Sequence, residues 1–132
     1  MAFINILYVE DFPPVKLIVK ETLELEGWRV KDCEDGLTAL RQIESQEQYD
    51  LILLDDDLPG LTGIELAARA RALRHRSRTP IIMLSAAERR LDAHDAGVNI
   101  FLNKPEGMKS LVETIKQLLS SVETDGDGTT PK

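Results

Sequence analysis

The sequence LILLDDDLPG occupies residues 51–60 and joins four aliphatic residues, three carboxylates and a turn. A short apolar run bounded by turn residues is typical of a central strand that is buried on both faces of a parallel sheet. Carboxylates are costly to bury, so Asp55, Asp56 and Asp57 should emerge where the strand ends, in a polar pocket or beside a cation. This strand end predicts a cation, a reactive carboxylate, or both.

Further short strands and amphipathic helices alternate along the chain on either side of this strand. The apolar patterns predict strands at residues 3–9, 28–33, 49–55, 80–85 and 98–102. They predict helices from 13 to about 27, 35–47, 63–74 and 88–95, and a last helix that carries an apolar stripe from Met108 to Leu119. Leu37, Leu40 and Ile43 are expected on the inner face of the second helix. Five strands alternating with five helices indicate an α/β fold in three layers, a doubly wound parallel sheet with the flavodoxin-like order 2-1-3-4-5.

Composition limits the classes of function. A chain of 132 residues with a net charge of -7 predicts one acidic domain, which disfavours direct binding to nucleic acid or to anionic membranes. The basic residues between 69 and 78 are interpreted as a solvated helix end. Cys33 is the single cysteine, no apolar run approaches the roughly 20 residues of a membrane helix, and no signal peptide is visible. We therefore expect a cytoplasmic protein that makes no contact with the membrane.

The tail after residue 122 has no core-forming residue and is rich in Gly, Asp and Thr. Such a composition cannot bury enough apolar surface to order itself. We expect a single domain over residues 1–122, followed by a disordered tail or linker stub at 123–132.

Polar side chains stand at the predicted carboxyl ends of four strands. They are Glu10 and Asp11 after the first strand, Asp55 after the third, Ser85 after the fourth and Lys104 after the fifth. Ligands of open α/β sheets bind at this edge, next to the point where the strand order reverses. Carboxylates and waters suit Mg²⁺, which would leave coordination positions open for a phosphoryl oxygen. Ser85 and Lys104 could hold the other phosphoryl oxygens.

These residues at the strand ends resemble the hallmark motifs of response-regulator receiver domains of two-component signalling, the CheY-like family. The resemblance covers residues 3 to about 122. The hallmarks are found in order: Glu10-Asp11, the stretch 54–60, Ser85-Ala86 and Lys104-Pro105. The resemblance implies that Asp55 is a phosphoacceptor that takes a phosphoryl group from a histidine kinase or a histidine phosphotransfer protein. Asp55 is preferred to Asp56 because it directly follows Leu54 and stands four residues before Pro59.

The resemblance also implies the roles of the surrounding residues. Mg²⁺ (or Mn²⁺) would bind the carboxylates of Asp11 and Asp55, with Glu10 acting directly or through water and Asp57 through its backbone carbonyl. The domain would then catalyse its own phosphorylation, and possible dephosphorylation, without being a conventional enzyme.

Other implied roles lie on the side of the last two strands. Ser85 and Lys104 would contact phosphoryl oxygens, Phe101 would be the aromatic switch residue, and Lys104-Pro105 would be a cis peptide bond. The surface made by helix four, strand five and helix five would bind an output partner or a second copy. Three residues depart from the usual pattern: Asp56 replaces an apolar residue, Ser85 the commoner threonine, and Phe101 lacks a hydroxyl.

Two other functions compete with this interpretation. The Asp-x-Asp pattern in Asp55 to Asp57 also suits a haloacid-dehalogenase-like phosphatase, but there the Asp-x-Asp strand opens the chain and the metal-binding acidic pair comes late. The other alternative is a receiver-like module that binds partners without being phosphorylated. Such modules lose the acid pair, the acceptor or the lysine, and this sequence keeps all of them.

Overall fold

A single five-stranded sheet forms the centre of the molecule. The computed structural model describes residues 3–86, 88–104 and 106–126. All strand pairs are parallel and the strand order is β2-β1-β3-β4-β5, which confirms the predicted doubly wound topology. The strands are β1 Asn5–Val9, β2 Arg29–Cys33, β3 Leu51–Asp55, β4 Ile81–Ser85 and β5 Ile100–Asn103.

Helices follow the strands as the alternating pattern predicts. They are α1 Pro13–Glu24, α2 Gly36–Glu44, α3 Gly63–Ala72, α4 Arg90–Asp95, α5 Glu106–Lys109 and α6 Leu111–Gly126, with a short 3₁₀ turn at Arg74–Arg76. The starts of two helices have clear local causes. Pro13 and Pro14 open α1, and Thr62 forms a capping box with Glu65 at the start of α3. None of the described helices is long and apolar enough to cross a membrane.

The last predicted helix is present among the described residues as two consecutive segments, α5 and α6. The break lies at Ser110, whose backbone N–H and hydroxyl both donate to the carbonyl of Gly107. These contacts close a tight turn at the point where an α-helical bond would reach one residue further back. The apolar stripe continues across the break because Met108, Leu111 and Ile115 all pack on the same side of the sheet.

The last helix ends beyond the predicted domain boundary at residue 122. Helix α6 continues to Gly126, and the division between the domain and a tail stays a prediction. Glu123, Thr124 and Asp125 tolerate helical geometry, and Gly126 is the first strongly unfavourable residue. Residues 127–132 lie outside the described part of the chain, as does Pro105, so the cis peptide bond and the rest of the tail stay predictions.

The sheet buries apolar side chains on both faces, because successive residues of a strand point to opposite sides. On β3, Ile52 and Leu54 face a layer formed by α2, α3 and α4, whereas Leu51 and Leu53 face α1 and α6. All residues of β3 and β4 are buried, as expected for central strands. The strand that ends in the three aspartates is therefore held rigidly from both sides.

Two apolar residues of the helical patterns point outward. Leu37 of α2 is exposed, which contradicts its predicted place on the inner face, and Ile18 of α1 is 65% exposed. The predicted places of Leu40 and Ile43 are confirmed, since Ile43 is buried in the core and Leu40 packs against it. The buried face of α2 is centred on Gly36, Ala39 and Ile43, so Leu37 lies at its edge.

Two arginines of the basic stretch are structural, which corrects its interpretation as a solvated helix end. Arg76 is only 2% exposed and donates hydrogen bonds to the carbonyl oxygens of Gln42, Ile43 and Ser45 at the end of α2. Its guanidinium also lies 5.0 Å from the centre of the Tyr49 ring. The last carbonyls of a helix lack internal donors, and Arg76 supplies them.

Arg71 joins three segments in a similar way. Its guanidinium donates to the carbonyl oxygens of Thr79 and Gly97 and to the side-chain oxygen of Asn99. Asn99 accepts a further hydrogen bond from the backbone N–H of Ile81 at the start of β4. The end of α3 is thereby connected to the beginnings of β4 and β5.

We expect Arg76→Met to lower the free energy of unfolding by about 2–4 kcal/mol, because it leaves buried carbonyl oxygens without donors. Arg78→Met removes the same charge from an exposed neighbour and should change stability by less than about 0.5 kcal/mol. Urea unfolding followed by circular dichroism measures both. Equal effects of the two substitutions would contradict the role given to Arg76.

Candidate functional site

The carboxyl ends of four strands bring the predicted site residues to one edge of the sheet. Asp55 ends β3, and its neighbour in the ladder is Leu84, next to Ser85 at the end of β4. Ser85 pairs in turn with Asn103, the residue before Lys104. The backbone N–H of Lys104 donates to the carbonyl of Ser85 at 3.0 Å. Parallel pairing thus aligns residues that are far apart in sequence.

Three acidic side chains form a cluster at this edge. Glu10, Asp11 and Asp55 each offer an oxygen, and these oxygens lie within 4.8 Å of one another. Glu10 and Asp55 are only 2% and 5% exposed, whereas Asp11 faces solvent. Carboxylate oxygens at this spacing are the donors that Mg²⁺ and Mn²⁺ prefer. A cation would also relieve the repulsion between the buried charges, so the residues present fit a divalent metal.

Lys104 supplies a positive charge inside the same cluster. Its Nζ lies 3.1 Å from a carboxylate oxygen of Glu10 and 3.2 Å from one of Asp55. Both acids are buried and the lysine side chain is about one-quarter exposed, so these ion pairs are shielded from water. Glu10 is held further by its second oxygen, which accepts a hydrogen bond from the backbone N–H of Phe12.

The electrostatic environment shifts the pKa values of Asp55 and Lys104. Burial, reinforced by the charge of Glu10 and partly offset by Lys104, raises the pKa of Asp55 to about 7. Burial lowers the pKa of Lys104, but the negative charges of Asp55 and Glu10 outweigh it, so the pKa is raised overall. Asp55 is therefore a carboxylate whose charged form needs a cation, and Lys104 remains protonated beside it.

The other predicted residues lie close to this cluster in the fold. Ser85 is buried at the end of β4, and Asp57 is exposed just beyond β3. The acid cluster found among the described residues does not include the side chain of Asp57, in keeping with a role expected only for its backbone. Phe101 is buried in the layer of α2, α3 and α4, with the guanidinium of Arg90 4.9 Å from its ring centre.

Asp56, which the sequence left unexplained, has a specific environment. Its side chain is only 4% exposed, and one carboxylate oxygen lies 3.2 Å from Nη1 of Arg89. The other oxygen is buried and has no hydrogen-bond partner among the described residues. Sequence reasoning missed this pair, although an acid next to a buried strand requires a cation and two arginines follow the neighbouring strand.

Gly63 allows helix α3 to begin directly against the backbone of the acidic turn. A Cβ atom at this position would lie 2.4 Å from the carbonyl oxygen of Asp55, too close for any side chain. The N–H of Gly63 donates to the carbonyl of Asp56 at 3.0 Å. The turn that follows the acidic strand is therefore fixed by the start of α3.

We expect Asp55→Asn to raise the free energy of unfolding of the metal-free protein by on the order of 2 kcal/mol near pH 8. The pKa of Asp55 is raised from its ordinary value of 3.8 to about 7, so the folded protein keeps a proton on Asp55 up to about pH 7. Because the folded state binds more protons in this window, the stability contributed by Asp55 falls as the pH rises from about 4 to about 7. The substitution should therefore stabilise the protein at about pH 8 and have little effect at about pH 4.

Urea unfolding in the presence of EDTA at both pH values measures this difference. Asp95→Asn removes the same charge from an exposed site on α4 and is the matched control. A stabilisation by Asp55→Asn that is the same at both pH values would contradict the assigned burial of charge.

Comparisons with known proteins agree with the geometry of the site. Residues 6–116 match the family model of the response regulator receiver domain. The chain is 33% identical to the chemotaxis protein CheY of Pseudomonas aeruginosa over 122 residues, which is 89% of this chain and 98% of that protein.

Solved structures agree as well. A CheY-like receiver domain from Methanospirillum hungatei superposes with a TM-score of 0.86 at 29% identity, covering 94% of this chain and 99% of that one. The receiver domain of a sensor histidine kinase from Pseudomonas aeruginosa, with a magnesium ion in its active-site cleft, gives 0.81 at 34% identity, covering 90% and 99%. Fold, site and sequence agree: the chain belongs to the response-regulator receiver domains, the phosphoacceptor domains of two-component signalling.

Proposed function

We propose that Asp55 is the phosphoacceptor of this receiver domain and that a phosphohistidine is its donor. The observation that carries the proposal is the buried Asp55 carboxylate at the end of β3, 3.2 Å from Lys104 and next to two further acids. One oxygen of Asp55 attacks phosphorus, forming a P–O bond while the P–N bond to the donor imidazole breaks. The donor imidazole, already protonated on its other ring nitrogen, leaves as the neutral ring, and Asp55 becomes an aspartyl phosphate.

A divalent ion, Mg²⁺ or Mn²⁺, belongs to this site. Glu10, Asp11 and Asp55 would hold it with their carboxylates, and Asp57 with its backbone carbonyl. The ion supplies charge neutralisation for the transferred phosphoryl group. The magnesium ion in the cleft of the sensor-kinase receiver domain supports this choice.

Lys104 and Ser85 position the phosphoryl group. Nζ of Lys104 lies beside the Asp55 oxygen, within reach of a group that forms on it. Ser85 ends the neighbouring strand, where its hydroxyl can donate to a second phosphoryl oxygen. Positioning and charge neutralisation are the main requirements of phosphoryl transfer, so the chain would catalyse its own phosphorylation.

Membership in the receiver family leaves the phosphatase alternative without support. The remaining alternative, a receiver-like module that is not phosphorylated, predicts a degraded site. Here the acid pair, Asp55 and Lys104 are all present and in contact. The geometry therefore favours an active phosphoacceptor.

We expect wild-type protein incubated with Mg²⁺ and acetyl phosphate to gain one phosphoryl group, seen as a single adduct in the intact mass. Asp55→Asn should gain none, because the attacking carboxylate is lost. Asp56→Asn is the matched control, since it removes the same charge one residue away, and it should still form the adduct. EDTA should prevent the adduct in wild type.

An unchanged wild-type mass would count against phosphorylation by this donor. An adduct that survives Asp55→Asn and disappears in Asp56→Asn would move the acceptor to the neighbouring residue.

The structure also suggests where the phosphodonor binds. A mainly apolar cleft of about 300 Å³, lined by Val15, Ile18, Val19, Lys104 and Met108, lies between α1 and α5 beside the acceptor. Phe12, which directly precedes α1, is also exposed. We propose that this surface receives a helix of the histidine kinase or phosphotransfer protein, because a protein donor must be seated at the rim to bring its phosphohistidine to the buried acceptor.

The face made by α4, β5 and α6 would serve the output side, for a partner or for a second copy of the chain. Leu91 on α4 is among the most exposed apolar side chains of the described residues. Phe101 lies beneath this face, so its packing can respond to changes at the acceptor. Phosphotransfer from a histidine kinase would take place in a reducing cytoplasm, in keeping with the buried free thiol of Cys33.

We expect Ile18→Asp to slow phosphotransfer from a phosphorylated donor protein at least tenfold, because it places a charge in the apolar docking surface. The donor is the histidine kinase or phosphotransfer protein that reacts fastest with wild type in a screen. Leu25→Asp makes the same change at the far end of α1, where the side chain is 86% exposed, and should leave the rate unchanged. Both variants should react normally with acetyl phosphate.

Slower transfer in both variants, or in neither, would rule out this docking surface. Loss of the reaction of Ile18→Asp with acetyl phosphate would show that the substitution damages the acceptor site itself.

A further inference from the structure

Arg89, just before helix α4, is shared between two carboxylates of different kinds. Its Nη1 lies 3.2 Å from an oxygen of Asp56, which is buried next to the acceptor. Its Nε lies 3.5 Å from an oxygen of Asp92, which is on α4 and largely exposed. The guanidinium therefore joins the turn after β3 to the first turn of α4.

The contact with Asp56 is incomplete. One Asp56 oxygen pairs with Arg89 while the other is buried without a hydrogen-bond partner among the described residues. A guanidinium can satisfy both oxygens of a carboxylate at once through two parallel hydrogen bonds. The second oxygen of Asp56 is therefore an acceptor that Arg89 could bind if it released Asp92.

The next residue extends the connection to the switch position. Arg90 donates from Nη1 to the carbonyl oxygen of Phe101 at 3.2 Å, and its guanidinium lies 4.9 Å from the centre of the Phe101 ring. Consecutive arginines therefore contact the residue beside the acceptor and the aromatic residue of β5. One peptide unit separates the two arginines, so a shift of the backbone at Arg89 would also move Arg90.

We infer that Arg89 is a positioning residue whose partner depends on phosphorylation, exchanging Asp92 for full pairing with Asp56 when Asp55 carries a phosphoryl group. This inference rests on the proposed function of Asp55. A phosphoryl group brings a charge of about −1.5 to −2 at pH 7 to the residue next to Asp56, and none to Asp92. The added charge attracts Arg89 toward the acceptor side, and the exchange draws the first turn of α4, Arg90 and the Phe101 ring with it.

A ligand shifts a conformational equilibrium only by its differential interaction with the two states. The ion pair with Asp92 is solvent-exposed and therefore weak, so little free energy holds Arg89 there. The pair with Asp56 is buried, where electrostatic interactions are less screened. A charge added at Asp55 thus acts mainly on the stronger, incompletely formed pair.

The test records the amide signals of Leu91, Ala93 and Phe101, and the Nε–Hε signal of Arg89, in ¹H–¹⁵N NMR spectra. Spectra are taken with Mg²⁺ alone and with Mg²⁺ plus beryllofluoride, an analogue of the phosphoryl group. In wild type, the analogue should shift all four signals. In Arg89→Gln the shifts of Leu91, Ala93 and Phe101 should be lost, although the protein still gains the phosphoryl adduct from acetyl phosphate.

A second variant makes the opposite prediction. Asp92→Asn removes the exposed competitor, so Arg89 should turn to Asp56 without any phosphoryl group. The three amide signals should then lie nearer their wild-type beryllofluoride positions before the analogue is added. Asp95→Asn, which removes a charge from the same helix, is the matched control and should resemble wild type.

The outcomes separate this inference from the function on which it rests. If wild type forms no phosphoryl adduct, the proposed function fails. If the adduct forms but Arg89→Gln responds to beryllofluoride as wild type does, or Asp92→Asn resembles Asp95→Asn, the role of Arg89 is overturned. A loss of dispersed signals in Arg89→Gln would mark unfolding, and Asp92→Asn then decides by itself.

Discussion

The contact between Lys104 and two buried carboxylates is the interaction on which the site depends. Glu10 and Asp55 are almost fully removed from water and lie in the same acidic cluster, an arrangement that repulsion and desolvation would otherwise disfavour. One lysine cannot neutralise three acids, and burial together with the charge of Glu10 raises the pKa of Asp55 despite Lys104. The deficit of positive charge suits the divalent cation proposed for this site. Parallel strands make the cluster possible, because only their aligned carboxyl ends bring residues 10, 55 and 104 together.

Arginine side chains also satisfy buried acceptors elsewhere in the fold. Arg76 covers the carbonyl end of α2, Arg71 connects α3 to the starts of β4 and β5, and Arg89 meets the buried carboxylate of Asp56. Each guanidinium is planar and offers several donors, so it can join segments that no apolar contact joins. Arg71 and Arg76 donate hydrogen bonds to backbone carbonyl oxygens, and Arg71 also donates to the side chain of Asn99. Arg89 differs because both of its partners are carboxylates and one of them adjoins the acceptor.

The sequence predicted the features that depend on periodicity and on strand ends. The order of strands, the edge that carries the site and the convergence of Glu10, Asp11, Asp55, Ser85 and Lys104 follow from alternating apolar runs and from parallel pairing. Side-chain partners on the helices could not be predicted in this way. The burial of Arg76 depends on where the 3₁₀ turn places it against α2, and periodicity holds no information about that distance. Leu37 was misassigned because the buried face of α2 is centred on Gly36, Ala39 and Ile43, which puts Leu37 at its edge.

Asp56 shows how a departure from the family pattern changes the physical problem. An apolar residue at this position would extend the core between β3 and α4 and would need no partner. A carboxylate there must be compensated, and the fold does so with an arginine from the segment that leads into α4, leaving one oxygen unsatisfied. Buried ion pairs contribute little to stability but depend strongly on position and on nearby charge. The departure therefore exchanges packing for electrostatic sensitivity at a residue that adjoins Asp55, the proposed acceptor, and pairs with the segment leading into α4.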